Sequence, residues 1–248
     1  MKKHIPNILT LLNLLSGIIA VIFAVEGNLI GAGVFVVLGI FFDFFDGFVA
    51  RLLKVEGELG KQLDSLADMV TSGVVPGIVM FQLIRNSLSD WTSESLLPSF
   101  LFEQGYSYFP WVGLLITLAS AYRLANFNID TRQTSSFIGI PTPANALLVL
   151  SLPLILMYSN NELAIDLIKN KWILISITLL GSYMMNANIP LFSLKFKDYS
   201  VRNNIIKYIF IVLVVLLLVL LKYVAIPIVI VIYVFLSIIE SRVKTDRK

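Results

Sequence analysis

The sequence predicts an all-α polytopic membrane protein of about eight transmembrane helices, and three observations carry that reading. Of its 248 residues, 57% are hydrophobic and only 14% charged, far more apolar than a soluble domain of that size. The apolar residues fall in runs of roughly 20, the length that crosses a hydrocarbon core as a helix. What lies between the runs is too short for a soluble domain, so residues 1–248 read as a single transmembrane domain.

Apolar runs and polar breaks place the helices at about 8–25, 29–54, 60–84, 108–125, 143–158, 171–187, 204–221 and 223–240. The first follows Met1, Lys2 and Lys3, as a signal peptide does. Its core holds Asn13, Ser16 and Gly17, no small-residue cleavage pattern follows, and the next run starts almost at once, so it reads as a retained span. The second and third carry the acids discussed below. The fourth follows the longest loop, 85–108, and the fifth starts at Pro141 and Pro143, residues suited to a first helical turn. The sixth precedes the segment ANIPLFSLKFK. The seventh and eighth contain no acid before Glu240 and suit a lipid-facing or self-associating position.

Composition also excludes. The absence of cysteine removes disulfides, thiolate metal sites and cysteine nucleophiles. The single histidine, His4, lies in a basic terminus where a solvated side chain is expected. A net charge of +3 is too small to point to nucleic acid. An even number of spans puts both termini on one side. Of the 19 Lys and Arg residues, all but Arg85, Lys169, Lys171 and Lys222 fall on that side, which makes it cytoplasmic. The protein is expected in the cell membrane, with the acids at the cytoplasmic ends of spans two and three.

Those acids lie in residues 43–68, DFFDGFVARLLKVEGELGKQLDSLAD. Asp43 and Asp46 are one helical turn apart, as are Asp64 and Asp68, so each pair projects from one face of its helix. Two such faces turned together make a cage of oxygens. Hard divalent cations prefer oxygen, and unpaired charge inside a membrane is costly. Gly47 and Ala50 follow the first pair and Gly60 precedes the second, small residues that let a bulky ligand approach the backbone. Arg51 adds a planar fork of donors suited to phosphate. Acids, a cation and glycine clefts are what a metal-bound diphosphate needs. Solvated interface charge is the plain alternative, disfavoured by the cost of paired acids in apolar helices. A divalent-cation transporter is another, but its acids are expected near mid-span with a second set in an inverted half, and neither is present.

The stretch matches DxxDGxxAR…GxxxDxxxD, and by it the chain resembles the CDP-alcohol phosphotransferases. The resemblance implies a membrane enzyme of six or more helices in which Asp43, Asp46, Asp64 and Asp68 hold two divalent ions, Mg²⁺ or Mn²⁺. It places Asp46, Gly47, Ala50, Arg51 and Gly60 beside the nucleotide of CDP-diacylglycerol. It also gives Asp68 the role of general base. The opening IPNILTLLNLLSG resembles the family's PNxLT, which implies that Asn7 and Thr10 neighbour the nucleotide; taken alone, Pro6 and Asn7 are a helix start and its cap. Homodimerisation follows by the same analogy.

Three further segments, SAYRLANFNID, SSFIGIPTPANA and ANIPLFSLKFK, resemble the RLARFN, FxGxPxPxA and IPxFSxK segments of the membrane-embedded phosphatidylserine synthase branch, with Asn126 where that pattern has Arg. They define acceptor-side regions at 120–145 and 186–198, ahead of C-terminal helices 204–240, and imply L-serine as acceptor and CMP as product. Serine is a zwitterion, and its carboxylate needs a cation. Arg123, at a span end, is the best candidate; Arg132 and the Ser135–Ser136 pair are loop residues and weaker ones. Glycerol phosphate or inositol phosphate would favour two converging cations, which Arg123 and Arg132 can also supply, so the residues alone leave the acceptor open and the resemblance selects serine.

Overall fold

The computed structural model describes residues 4–55, 57–88, 108–129, 137–191 and 205–245. Helix α1 (His4–Val25) and α2 (Leu29–Leu53) form a hairpin closed by Gly27 at φ 82 and by Asn28, whose side chain accepts from the Gly31 N–H at 2.9 Å. The faces of α1 are inverted relative to a soluble helix. Its buried stripe is small and polar (Pro6, Thr10, Asn13, Gly17, Ala20, Ala24), while Ile8, Leu11, Leu15, Ile18 and Ile22 point outward. That is the arrangement of a helix in lipid, where small residues let helices approach and large apolar ones face the acyl chains.

The third segment is one helical run with a defect that its sequence pattern does not reveal. Helix α3 (Glu58–Asp68) passes through a π-turn (Met69–Val74) into α4 (Val75–Asn86). Pro76 has no N–H to return to residue 72, and its ring crowds that carbonyl. The ladder lengthens instead, so that the Val75 N–H reaches the Val70 carbonyl, five residues back. Beyond the turn α4 is the centre of the fold, with Val75, Val79, Met80, Leu83 and Ile84 fully or almost fully buried. Helix α5 (Leu115–Ile129), entered through a 3₁₀ turn (Phe109–Leu114), crosses α4 at close range. A Cβ on Gly113 would lie 2.5 Å from the Phe81 nitrogen, and one on Gly77 would overlap the Thr117 hydroxyl.

Helix α6 (Thr142–Tyr158) is followed by α7 (Glu162–Lys169), a short helix outside the eight expected segments, and by α8 (Lys171–Asn186). Its sequence, ELAIDLIK, is amphipathic but too short to span, which is why a search for long apolar runs passes over it. Two short strands, β1 (Phe137–Ile138) and β2 (Pro190–Leu191), pair antiparallel and join the approach to α6 with the chain leaving α8. Helix α9 (Ile205–Leu221) turns through Lys222 at φ 49 into α10 (Ala225–Thr245). The rings of Phe210 and Tyr233 are 5.6 Å apart, although a straight helix would separate those positions by about 35 Å, so the pair is a hairpin.

Among the described residues, five helical runs are long and apolar enough to cross a membrane by length and composition: His4–Val25, Leu29–Leu53, Glu58–Asn86, Phe109–Ile129 and Ile205–Glu240. The last contains the α9–α10 turn. Helices α6 and α8, at 17 and 16 residues, are shorter and pack within the bundle. The chain is an all-α polytopic integral membrane protein.

Candidate active site

The acidic stretch folds as its spacing predicts. Helix α2 carries Asp43 and Asp46 in its last three turns and stops at Lys54, whose left-handed backbone (φ 54) lets its N–H close on the Ala50 and Arg51 carbonyls. The chain reverses, and α3 brings Asp64 and Asp68 back past the end of α2, with α1 packed against both helices. Asp43, Asp64 and Asp68 each present a carboxylate oxygen, and these oxygens lie within 4.8 Å of one another. Three carboxylates at that separation repel unless a cation or a shared proton lies among them.

The donor set fits a hard divalent cation. It is all oxygen, and Mg²⁺ with ligands at about 2.0–2.1 Å spans roughly 4 Å between opposite oxygens, so little contraction closes the cluster around an ion. Asp46 stands outside this triad. It is 7% exposed, and the hydroxyl of Thr10 on α1 donates to its carboxylate. Thr10, expected near a nucleotide, is thus engaged with one of the aspartates.

The motif's small residues differ from the glycines of the helix crossings. A Cβ on Gly47 would meet only the Arg51 guanidinium, at 3.9 Å, and one on Gly60 only the Asn7 side chain, at 3.5 Å. Neither glycine is needed for helix packing, and each lies one turn from an acid. Ala50 is half-buried and Arg51 exposed at the end of α2. On α3, the Lys61 ammonium donates to the Asn128 carbonyl at 2.6 Å and Ser65 exchanges hydrogen bonds with the Asn128 side chain, fastening α3 to the end of α5.

Residues of the site that the sequence did not single out are Asn13 and Thr71. Asn13, fully buried on α1, donates from Nδ2 to Asp68 at 3.3 Å and accepts from the Thr71 hydroxyl at 2.8 Å. A signal for Asn13 exists: Asn7, Thr10, Asn13 and Gly17 form a polar and small stripe along an otherwise apolar helix. Thr71 carries no such signal, since it enters the site only through the close approach of α1 and α2 at Gly17 and Gly39.

Arg123 lies apart from the acids in a cage of carbonyls. It is 8% exposed and donates from Nη1 to the carbonyls of Ile138, at 2.8 Å, and Met185, and from Nη2 to that of Gly139, at 3.2 Å. Gly139 has φ 72, and a Cβ there would overlap the Met185 carbonyl. Its N–H donates to Ile189 at 2.9 Å and that of Ile140 to Met184 at 3.0 Å. The three segments taken as acceptor-side therefore meet at one knot with Arg123 at its centre. Arg132, Ser135 and Ser136 lie outside the described residues.

A family model for CDP-alcohol phosphatidyltransferases matches residues 3–191. The chain is 31% identical over 145 residues to the CDP-diacylglycerol–serine O-phosphatidyltransferase of Bacillus subtilis (strain 168), covering 57% of this chain and 70% of that protein. It is 31% identical over 175 residues to the archaetidylserine synthase of Methanothermobacter thermautotrophicus, covering 69% and 67%. It is also 31% identical over 215 residues to the CDP-diacylglycerol–serine O-phosphatidyltransferase of Helicobacter pylori (strain 26695), covering 84% and 80%. With three quarters of its length inside that model, and with three of the motif's four acids drawn together where α2 and α3 end, the chain belongs to the CDP-alcohol phosphatidyltransferase family.

Proposed function

We propose that this protein transfers the phosphatidyl group of CDP-diacylglycerol to the hydroxyl of L-serine, releasing CMP. The observation that carries the reaction class is the convergence of Asp43, Asp64 and Asp68 within 4.8 Å at a membrane-embedded helix end. The choice of serine rests on relatives whose names specify it.

Asp43, Asp46, Asp64 and Asp68 hold one or two divalent ions, Mg²⁺ or Mn²⁺, which neutralise the diphosphate and the charge developing on the leaving CMP. Asn7, Gly47, Ala50, Arg51 and Gly60 form the nucleotide side: the small residues admit the cytidine and ribose close to the backbone, and Arg51 pairs with phosphate oxygen. Thr10 belongs to the same wall and fixes Asp46. Asp68 accepts the serine hydroxyl proton as the oxygen attacks the phosphorus bearing diacylglycerol. The bond from that phosphorus to the CMP oxygen breaks, and the electron pair leaves with CMP. Arg123 has five N–H donors, of which three are engaged with carbonyls. The remaining two suit the serine carboxylate, and Arg132 is a second candidate there.

The whole chain acts as one transmembrane domain. Its termini and site face the cytoplasm, the source of serine and of the nucleotide lipid, and two copies associate. Purified protein given CDP-diacylglycerol, Mn²⁺ and each acceptor in turn is expected to release CMP with L-serine. Release with glycerol phosphate or inositol phosphate instead overturns the acceptor, and metal flux across vesicles without CMP overturns the class.

A further inference from the structure

The Asp68 carboxylate of the triad receives a hydrogen bond from α1, through Asn13. The orientation of that amide follows from chemistry. Asp68 offers only acceptors, so the Asn13 NH₂ faces it and the amide oxygen is left facing Thr71, whose hydroxyl donates at 2.8 Å. Were the amide reversed, oxygen would face oxygen at Asp68; the Thr71 hydroxyl, which also lies 3.1 Å from the Ala67 carbonyl of its own helix, accepts as well as donates, so it is the Asp68 contact that fixes the orientation.

The surroundings of Thr71 are built to hold that hydroxyl. Thr71 is 1% exposed. A Cβ on Gly17 would lie 2.5 Å from its Oγ1, and a Cβ on Gly39 would lie 2.6 Å from its methyl and 2.8 Å from the Asn13 amide oxygen. Two helices, α1 and α2, therefore approach Thr71 at glycine positions, one against the hydroxyl and one against the methyl. The π-turn begins at Met69, directly after Asp68, and contains Thr71 three residues on, so the cluster, its buttress and the lengthened ladder are contiguous. Local π-turns recur at functional sites because they re-aim side chains in this way.

We propose that Asn13 and Thr71 are positioning residues that set the orientation of the Asp68 carboxylate, with Thr71 fixing the Asn13 amide and the amide fixing the acid. The inference rests on the cluster being the reaction centre. Outer partners of metal-holding carboxylates typically change affinity or activity by about 10–100-fold when removed, and the relay predicts an effect of that order.

The hydroxyl and the methyl of Thr71 can be separated. Thr71→Val keeps the shape and loses the hydroxyl; Thr71→Ser keeps the hydroxyl and loses the methyl against Gly39. Full-length protein in detergent is titrated with Mn²⁺, free ion being read by its paramagnetic resonance, and steady-state kinetics are measured alongside. Thr71→Val is expected to weaken Mn²⁺ binding and lower kcat, each by about tenfold, with the serine KM unchanged. Thr71→Ser is expected to stay within about twofold of the parent, and Asn13→Ala to lose at least as much as Thr71→Val. The double variant should lose no more than Asn13→Ala, because both act on one path. Thr71→Val indistinguishable from the parent in both readouts, or Thr71→Ser as impaired as Thr71→Val, overturns the relay. If Asn13→Ala does not fold, the Val and Ser variants decide the matter. If the parent releases no CMP with serine, the proposed activity fails while Mn²⁺ binding still tests the relay.

Discussion

The Thr10 hydroxyl on α1 donates to the Asp46 carboxylate on α2 at 2.5 Å, in a site where Asp46 is 7% exposed. The same hydroxyl lies 3.1 Å from the Pro6 carbonyl of its own helix, so Thr10 occupies a fixed rotamer at the start of the chain. Thr10→Val preserves the shape and removes the donor, leaving a buried carboxylate one partner short, at a cost of about 1.5–3 kcal/mol for a charged hydrogen bond. The expected outcome is a lower melting temperature in detergent and a reduced kcat, with Thr10→Ser restoring both. A Val variant with parental melting and turnover would show that the contact contributes nothing.

Arg123 joins the backbone carbonyls of three residues, so its removal has two separable consequences. Arg123→Ala removes the guanidinium donors from the buried Gly139 and Met185 carbonyls, where an unsatisfied polar group costs about 1–3 kcal/mol. Melting should fall markedly. If the two remaining donors hold the serine carboxylate, the serine KM of the protein that survives should rise about tenfold, near the 1.4 kcal/mol equivalent of one charged contact. Arg123→Lys cannot reproduce a planar fork and is expected to fail on both counts. A fall in melting with an unchanged serine KM assigns Arg123 to the knot alone.

Gly139 offers the control for that experiment. Its φ of 72 and the Met185 carbonyl where a side chain would stand make alanine strained in both backbone and space. Gly139→Ala is expected to destabilise by about 1–3 kcal/mol while leaving Mn²⁺ binding at parental affinity, because the knot and the acid cluster share no residue. Thermal melts and a Mn²⁺ titration on the same preparation check both halves. Weakened Mn²⁺ binding would mean that the two regions are coupled.

What the residues disclose in advance depends on whether the physics is local. The convergence of Asp43, Asp64 and Asp68 is legible because one-turn spacings on consecutive helices need only the helical period to face each other, whereas the turning of Asp46 to Thr10 depends on a third helix. The long apolar runs are legible for the same reason, since length and hydropathy are properties of a single run, although five rather than eight reach spanning length among the described residues. The π-turn is not, because Pro76 inside an apolar run is compatible with a kink, a turn or a lengthened ladder, and α4 packing selects among them. Helix α7 escapes a search tuned to spanning lengths. The partners of Arg123 are backbone carbonyls of Ile138, Gly139 and Met185, which leave no mark in side-chain chemistry. Thr71 becomes part of the site only once α1 and α2 close on it through Gly17 and Gly39.

The separation of Asp46 from the other three acids leads to a prediction about metal stoichiometry. Asp43, Asp64 and Asp68 converge within 4.8 Å, whereas Asp46 is turned to Thr10. Asp43→Asn, Asp64→Asn and Asp68→Asn each remove a ligand from the converged set and should abolish tight Mn²⁺ binding. Asp46→Asn should leave one tightly bound ion and lose only a weaker second one. The melts should diverge in sign. With EDTA present, each triad variant removes an ionisable group from a crowded acidic cluster, relieves its repulsion and should melt above the parent. With saturating Mn²⁺ the parent gains stability as RT ln(1 + [L]/Kd), the triad variants do not, and the order reverses. Asp46→Asn, outside the triad, should keep most of the Mn²⁺-dependent rise. A parent and Asp43→Asn with the same melting response to Mn²⁺ would remove the triad as the ion's site, whatever the activity of either protein.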